Sequence, residues 1–187
     1  MIEPGIKLES GRILIAPPLQ WDLNFRDTVV LLCEHSENGS FGLILNRTLT
    51  IEIEQLFDDL GPFEDVLHWG GPVQPDTMHF LHRLPDEIPG AIPLGNDLYW
   101  GGDFDVVRRK MTLGAISPDD IRFFLGYAGW MSGQLELEVA ARGWILGDAA
   151  AIDIFGDPET DLWRESLESR GGLLAVVAGA PDSFSLN

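Results

Sequence analysis

The chain has 187 residues, 45% of them hydrophobic and 22% charged, which fits one soluble globular domain. That length buries roughly 70% of the unfolded surface, so the fold needs neither disulfides nor a structural metal. Asp and Glu number 30 against 12 Lys and Arg, a formal charge of −18, which excludes broad attraction to nucleic-acid phosphates or anionic lipid unless the few bases gather on one face.

The beginning, MIEPGIKLESG, lacks the basic start and apolar run of a signal peptide, and no stretch has the length of a transmembrane helix; GLLAVVAGA is too short. The expectation is a cytoplasmic protein with no membrane partner. Cys33 is the only cysteine, so an intramolecular disulfide and a cysteine-rich zinc site are both excluded.

In chain order, residues 12–16 predict a first strand, stopped by Pro17-Pro18. Residues 27–35 predict the clearest strand, because TVVLLC is β-branched and continuously apolar, as in a strand covered on both faces. Asn38-Gly39 signals a tight turn, and 41–46 returns as a second strand. Thr50 caps an expected helix to about Leu60, with Gly61-Pro62 as its stop. Strands are expected at 66–69, 78–83 and 98–100, the first two around a Gly70-Gly71-Pro72 bend. Asp103 caps a helix through Leu113, ended by Gly114. Ser117-Pro118-Asp119-Asp120 has the chemistry of a helix start, with the helix running to Tyr127. A further helical segment spans 133–141. Strands follow at 144–146 and 151–155, then a helix from Asp157-Pro158-Glu159 to Arg170, stopped by Gly171-Gly172, and a final strand at 173–177. Strands first and helices later, without βαβ alternation, indicate α+β with a mixed sheet, open to curling into a barrel.

Cys33-Glu34-His35 is the most reactive-looking stretch. On a regular strand Cys33 and His35 share a face, with Cα atoms roughly 6.6 Å apart, and Glu34 points away. Val29 and Leu31 lie on that same face, so Cys33 reads as a buried, inert thiol. Glu34, if covered, has Arg47 as its expected partner. His79 and His82 fall on opposite faces of one strand, and no HExxH pattern accompanies them, so no metal is assigned. Gly70-Gly71-Pro72 is no phosphate loop, since Pro donates no N–H and no Lys-Ser/Thr follows. Gly101-Gly102-Asp103 opens a helix, but Asp103 and Asp105 oppose an anion there. No GxSxG elbow is present. The two helices expected at 103–113 and 118–127 mimic a helix-turn-helix. The second, the would-be reader, begins Pro-Asp-Asp and would face phosphates with carboxylates, so direct DNA binding is not expected.

FLGYAGWMSGQLELEVAARGWIL, residues 124–146, punctuates Tyr127 and Trp130 with Gly126, Gly129 and Gly133. This segment resembles the signature of the AlgH/YqgE family of bacterial proteins, sometimes labelled transcriptional regulators. GRILIAPPL resembles the family's opening strand, DTVVLLCEHSENGSFGLILNR its Cys-Glu-His hairpin, HWGGPV its Gly-Gly-Pro-Val bend and IFGDPETDLWRESL its last helix. The resemblance covers nearly the whole chain. It implies a single α+β domain over 1–187, with a strongly bent, barrel-like mixed sheet and flanking helices. It implies no reaction and no cofactor.

The expected ligand-binding residues are His35, Gly70, Gly71, Tyr127, Trp130 and Gln134, where glycine bends beside aromatics leave room for a ligand or peptide. The favoured function is a non-enzymatic binding or regulatory module with a protein or small-molecule partner. The alternatives are a thiol-dependent enzyme or redox sensor using Cys33 and His35, and a transcriptional regulator. The oligomeric state is not legible.

Overall fold

The computed structural model describes residues 7–57, 63 and 65–171. The apolar run after Thr28 forms β2 (Val29–Ser36), which pairs with β1 (Arg12–Ile15) on one flank and with β3 (Gly39–Ile44) on the other. Both of its faces are covered. Val29, Leu31 and Cys33 join Ile13, Ile15 and Leu43 in one cluster, while Val30 and Leu32 join Leu14 and Ile44 in another. A strand sandwiched in this way has no polar alternation to show.

Further along, β4 (Thr48–Glu52) pairs with β5 (Val66–Trp69), and β6 (Val73–His82) is followed by the hairpin of β7 (Ile92–Gly95) and β8 (Leu98–Trp100). Next come α1 (Phe104–Thr112), the eleven-residue β9 (Ile121–Met131), α2 (Gln134–Ala140), β10 (Ile145–Asp148) and α3 (Leu162–Glu168). The order across the ten-stranded sheet is β10-β1-β2-β3-β9-β6-β8-β7, with β4 and β5 off that path. Strand β9 is its axis. It carries β6 antiparallel on one flank, and β3 antiparallel and β5 parallel on the other, so the sheet is mixed. The curled, half-barrel sheet, with three α-helices among the described residues, is a single α+β domain, as the resemblance implied. Val107 and Met111 of α1 pack on Phe80 and Phe123, Leu135 and Val139 of α2 on Leu14 and Ile44, and Leu162 and Leu167 of α3 on the remaining face.

Four expectations are corrected. The helix expected from Thr50 is strand β4 and a short 3₁₀ turn at Ile53–Gln55; Thr48, Thr50 and Ile51 are β-branched, and β5 offers them a ladder. Its expected end at Leu60, with Gly61-Pro62, lies outside the described residues. The helix expected at 118–127 is the front of β9. Ser117 spends its cap chemistry on a turn instead, its hydroxyl accepting from Asp119 N and its carbonyl from Asp120 N. Ile121, Arg122, Phe123 and Phe124 are all buried, and a surface helix cannot bury four consecutive residues. The strand expected at 151–155 is a loop after a 3₁₀ turn at Ala149–Ala151, because the Arg122 guanidinium takes the carbonyls of Ile154 and Gly156 that a ladder would need. Finally, α3 begins at Leu162 rather than 157: Asp157 caps a turn through Glu159 N, and Asp161 is the helix cap, accepting from Arg164 N. The sequence also hid β7. The strand expected at 173–177 and the stop at Gly172 lie outside the described residues.

Candidate functional site

Cys33 is 2% exposed, with its sulfur 3.9 Å from the Leu31 carbonyl oxygen, and burial pushes the thiol well above its ordinary pKa. The pairing of β2 with β3 shifts between Leu32 and Glu34, so Cys33 is the extra residue of a β-bulge. Beyond it the alternation is inverted. His35 pairs with Ser40, bonds its hydroxyl at 2.8 Å through Nδ1, and places Nε2 3.8 Å from a Glu136 carboxylate oxygen on α2. Cys33 belongs to the opposite face, among Leu31 and Leu43. The expectation that Cys33 and His35 share a face is therefore corrected. Glu34 is exposed, and Arg47 does not serve it; that guanidinium binds the carbonyls of Leu23 and Arg26 and lies over the Trp69 ring. Iodoacetamide should label native Cys33 at least tenfold more slowly than the urea-unfolded chain, and His35→Ala should leave the native rate unchanged. Mass spectrometry of quenched time points checks both.

Gly70 and Gly71 lie against the backbone of β9. The chain leaves β5 on one flank of β9 and enters β6 on the other, so Gly70-Gly71-Pro72 must pass across the backbone of β9. Gly70 joins three strands, its N–H donating to Leu125 O and its carbonyl accepting from Ile44 N. A Cβ on Gly70 would stand 2.3 Å from Gly126 O, and one on Gly71 would stand 2.2 Å from the Tyr127 carbonyl carbon. Gly126, at φ +70°, bends β9 under the crossing. Tyr127 stacks on Phe41 with ring centroids 4.5 Å apart.

Trp130 and Gln134 meet on the α2 face, in a network centred on Glu138. One of its carboxylate oxygens accepts from the indole N–H groups of Trp130 at 2.9 Å and Trp144 at 2.8 Å, and the other accepts from the Gln134 amide at 2.9 Å. Gln134 also closes the preceding turn by accepting from Met131 N. The six candidates thus divide: His35, Trp130 and Gln134 lie on the α2 face, and Gly70, Gly71 and Tyr127 at the crossover.

Two hollows remain. The larger, about 430 Å³, lies between β6, β8 and α1. Its described lining includes the aromatic residues Phe57, Phe80, Trp100 and Phe104, together with Met78, His79, Ile92 and Gly101-Gly102. Phe104 touches both Phe57 and Phe80, with centroids 5.4 and 6.0 Å apart, and Trp100 is held by stacking on Phe41 at 4.7 Å. His79 lies edge-on to Phe41 and Tyr127; its Nε2 is buried with no hydrogen-bond partner among the described residues, and burial lowers its pKa, which favours the neutral ring at pH 7.

The smaller hollow, about 180 Å³, is polar and includes Asn46, His68, Arg122, Asp153 and Glu165 in its lining. Burial, with the Arg122 charge behind it, lowers His68 to about 4. Burial raises nearby Asp65 to about 6, although the Arg122 charge opposes the shift. Asp65 favours folding most below 3.8 and loses that contribution as pH rises to about 6, whereas His68 favours folding above 6.5 and loses its contribution as pH falls to about 4. The two slopes oppose each other between pH 4 and 6. Both terminal nitrogens of Arg122 are spent on the 153–157 loop, so this site fastens the loop to the sheet.

A family model described as AlgH-like matches residues 13–175. The chain belongs to the AlgH-like family. It is 42% identical over 187 residues to a UPF0301 protein of Chlorobium limicola, covering 100% of both chains, and 39% identical over 181 residues to one of Cytophaga hutchinsonii, covering 96% of this chain and 100% of that one. The solution structure of AlgH from Pseudomonas aeruginosa superposes with a TM-score of 0.71 at 30% identity, over 94% of this chain and 98% of that one. A Corynebacterium diphtheriae crystal structure gives 0.78 at 20% identity, over 94% of each chain, and shows the fold alone.

The segments that carry the AlgH-like resemblance are those that build the scaffold: the bulged hairpin, the glycine crossover and the Glu138 network. The aromatic slot lies outside them, with Met78 and His79 a few residues beyond the Gly-Gly-Pro-Val bend. Sequence reasoning missed it because Phe57 sat in an expected helix and Trp100 in an isolated short strand. The available signal was aromatic density around a glycine pair, in Tyr99-Trp100-Gly101-Gly102-Asp103-Phe104. Among the described residues no group of three or more His, Cys, Asp or Glu side chains is arranged to hold a metal, and no helix is long and apolar enough to cross a membrane.

Proposed function

We propose that this AlgH-like protein is a non-enzymatic binding module, acting in the cytoplasm, whose ligand occupies the slot between β6, β8 and α1. One observation carries the reading: the slot is a concave, mainly apolar hollow of small-molecule size in which, among the described residues, His79 is the one polar side chain of the lining. Among the described residues no acid, thiol or hydroxyl is bonded to His79, which favours recognition over acid–base chemistry in the slot. The bulge that separates Cys33 from His35 weighs against the thiol-dependent reading. Against the DNA-reading regulator weigh the charge of −18 and the location of 121–127 in a central strand.

Ligand-observed NMR with a library of apolar and aromatic fragments tests the reading. Binders should lose their signal change in Ile92→Trp, which places an indole at the slot mouth from a residue that is 48% exposed. Binders should also be recovered chemically unchanged. Signals unaffected by Ile92→Trp, or conversion of a fragment, would overturn it.

A further inference from the structure

We propose that this chain pairs with a second copy of itself through the loop between β1 and β2, which presents Leu19, Trp21 and Leu23 to solvent. These side chains are 83%, 89% and 69% exposed, and Trp21 and Leu19 are the two most exposed large hydrophobic residues of the described chain. The loop shares no residue with the slot.

The exposed side chains stand on a fastened backbone. Phe25 lies against both Trp130 and Trp144, with ring centroids 6.1 and 5.4 Å away, and its carbonyl accepts from the Thr28 hydroxyl at 2.8 Å. The Arg47 guanidinium donates to the carbonyls of Leu23 and Arg26 at 3.0 and 3.1 Å. The Asp22 carbonyl accepts from Phe25 N and Arg26 N, and Oδ1 of its carboxylate from Asn24 N. A loop held in this way pays little further ordering when a partner covers it. Its apolar side chains add nothing to the core of their own fold. Exposed apolar residues grouped among polar ones mark contact surfaces, and Trp is a preferred anchor there.

Charge selects the occupant. The chain as a whole carries −18, which repels an anionic bilayer. Around the loop the charges balance: Asp22 and Asp27 lie near Arg47, and exposed Arg26 follows Asp22 by one turn. Two copies therefore meet here with less repulsion than their average surface imposes. Among the described residues nothing pairs with the Arg26 guanidinium. In a two-fold contact residue i meets j while j meets i, so Arg26 of each copy can take Asp22 of the other. The patch is its own complement, whereas a strongly basic or strongly acidic partner finds no matching charge on it. Three side chains a copy cover less than the roughly 800 Å² that each partner gives to a standard interface, so the association is weak and concentration-dependent.

Analytical ultracentrifugation of the full chain up to about 500 µM tests the proposal. Salt of about 150 mM screens the two bodies but leaves contacts shorter than the Debye length. The mean mass should climb from monomer toward dimer with concentration. Trp21→Ser should weaken association about thirtyfold and leave the melting temperature unchanged. Asp22→Lys and Arg26→Asp should each lose self-association, because like charges then meet across the two-fold, and an equimolar mixture of the two should regain it as a heterodimer. Monomer mass at every concentration would overturn the proposal. A dimer untouched by Trp21→Ser would overturn it as well, and so would a mixture that associates no better than either variant alone. Trp21-dependent flotation of a monomer with neutral phosphatidylcholine vesicles would assign the loop to lipid and overturn it too.

Discussion

Gly71→Ala is expected to leave almost no soluble, folded protein. The new Cβ would lie 2.2 Å from the Tyr127 carbonyl carbon and 2.4 Å from Ala128 N, both backbone atoms of the central strand, and Gly71 has φ +151°. Neither side can yield, since β9 is fixed by β6 on one flank and by β3 and β5 on the other. The cost should exceed about 4 kcal/mol, a large part of the 5–15 kcal/mol that holds a typical domain together. Two companion variants separate the causes. Gly70→Ala meets Gly126 O at 2.3 Å with no positive φ, so it isolates the close approach and should also be severe. Gly114→Ala has φ +64° with nothing within 4 Å, so it isolates the backbone term and should cost only about 1–2 kcal/mol. Soluble yield and thermal melts by circular dichroism rank the three. A Gly71→Ala protein melting close to the parent would show that the crossing is looser than it stands here.

The same crossing explains what the sequence conveyed and what it withheld. Strands β1, β2 and β3 were legible because each is a short apolar run bounded by turn chemistry, Pro17-Pro18 on one side and Asn38-Gly39 on the other. Helix α1 was legible through Asp103 and Gly114. The 118–127 segment was not. Its Ser-Pro-Asp-Asp start has every local mark of a helix cap, and local chemistry was outweighed by burial of Ile121 to Phe124 among three partner strands. That competition is tertiary, and periodicity does not separate a doubly covered strand from a buried helix.

The site residues were legible in the same uneven way. Cys33 and His35 were placed correctly in one strand but on the wrong faces, since a one-residue bulge leaves no mark in composition. Gly70 and Gly71 were singled out rightly as unusual, yet the reason was close backbone passage rather than an open cleft. Both roles call for glycine, and only the partner across the gap, Gly126-Tyr127, distinguishes them. The slot itself draws Phe80, Trp100 and Phe104 from three separate elements and Phe57 from the stretch after the 3₁₀ turn, so no local pattern announces it.

Glu138→Leu is the second change expected to act strongly, and it tests whether the 124–146 segment is scaffold. Trp130 and Trp144 are 6% and 3% exposed, and both indole N–H groups donate to one carboxylate oxygen. Leucine removes that acceptor, leaving two buried donors unmatched at about 1–3 kcal/mol each. The expected loss is about 3 kcal/mol, a fall in Tm of about 10 °C for a domain of this size. Glu138→Gln keeps one acceptor oxygen but turns an N–H₂ toward the Gln134 amide or the indoles, so it should fall between the parent and leucine. A double-mutant cycle separates lost hydrogen bonding from lost packing. In a Trp144→Phe background one of the two indole donors is already gone, so Glu138→Leu should then cost about 1 kcal/mol less than in the parent. Additive effects would mean that the carboxylate and the indole act independently, and the network would not be what fixes α2 against the sheet.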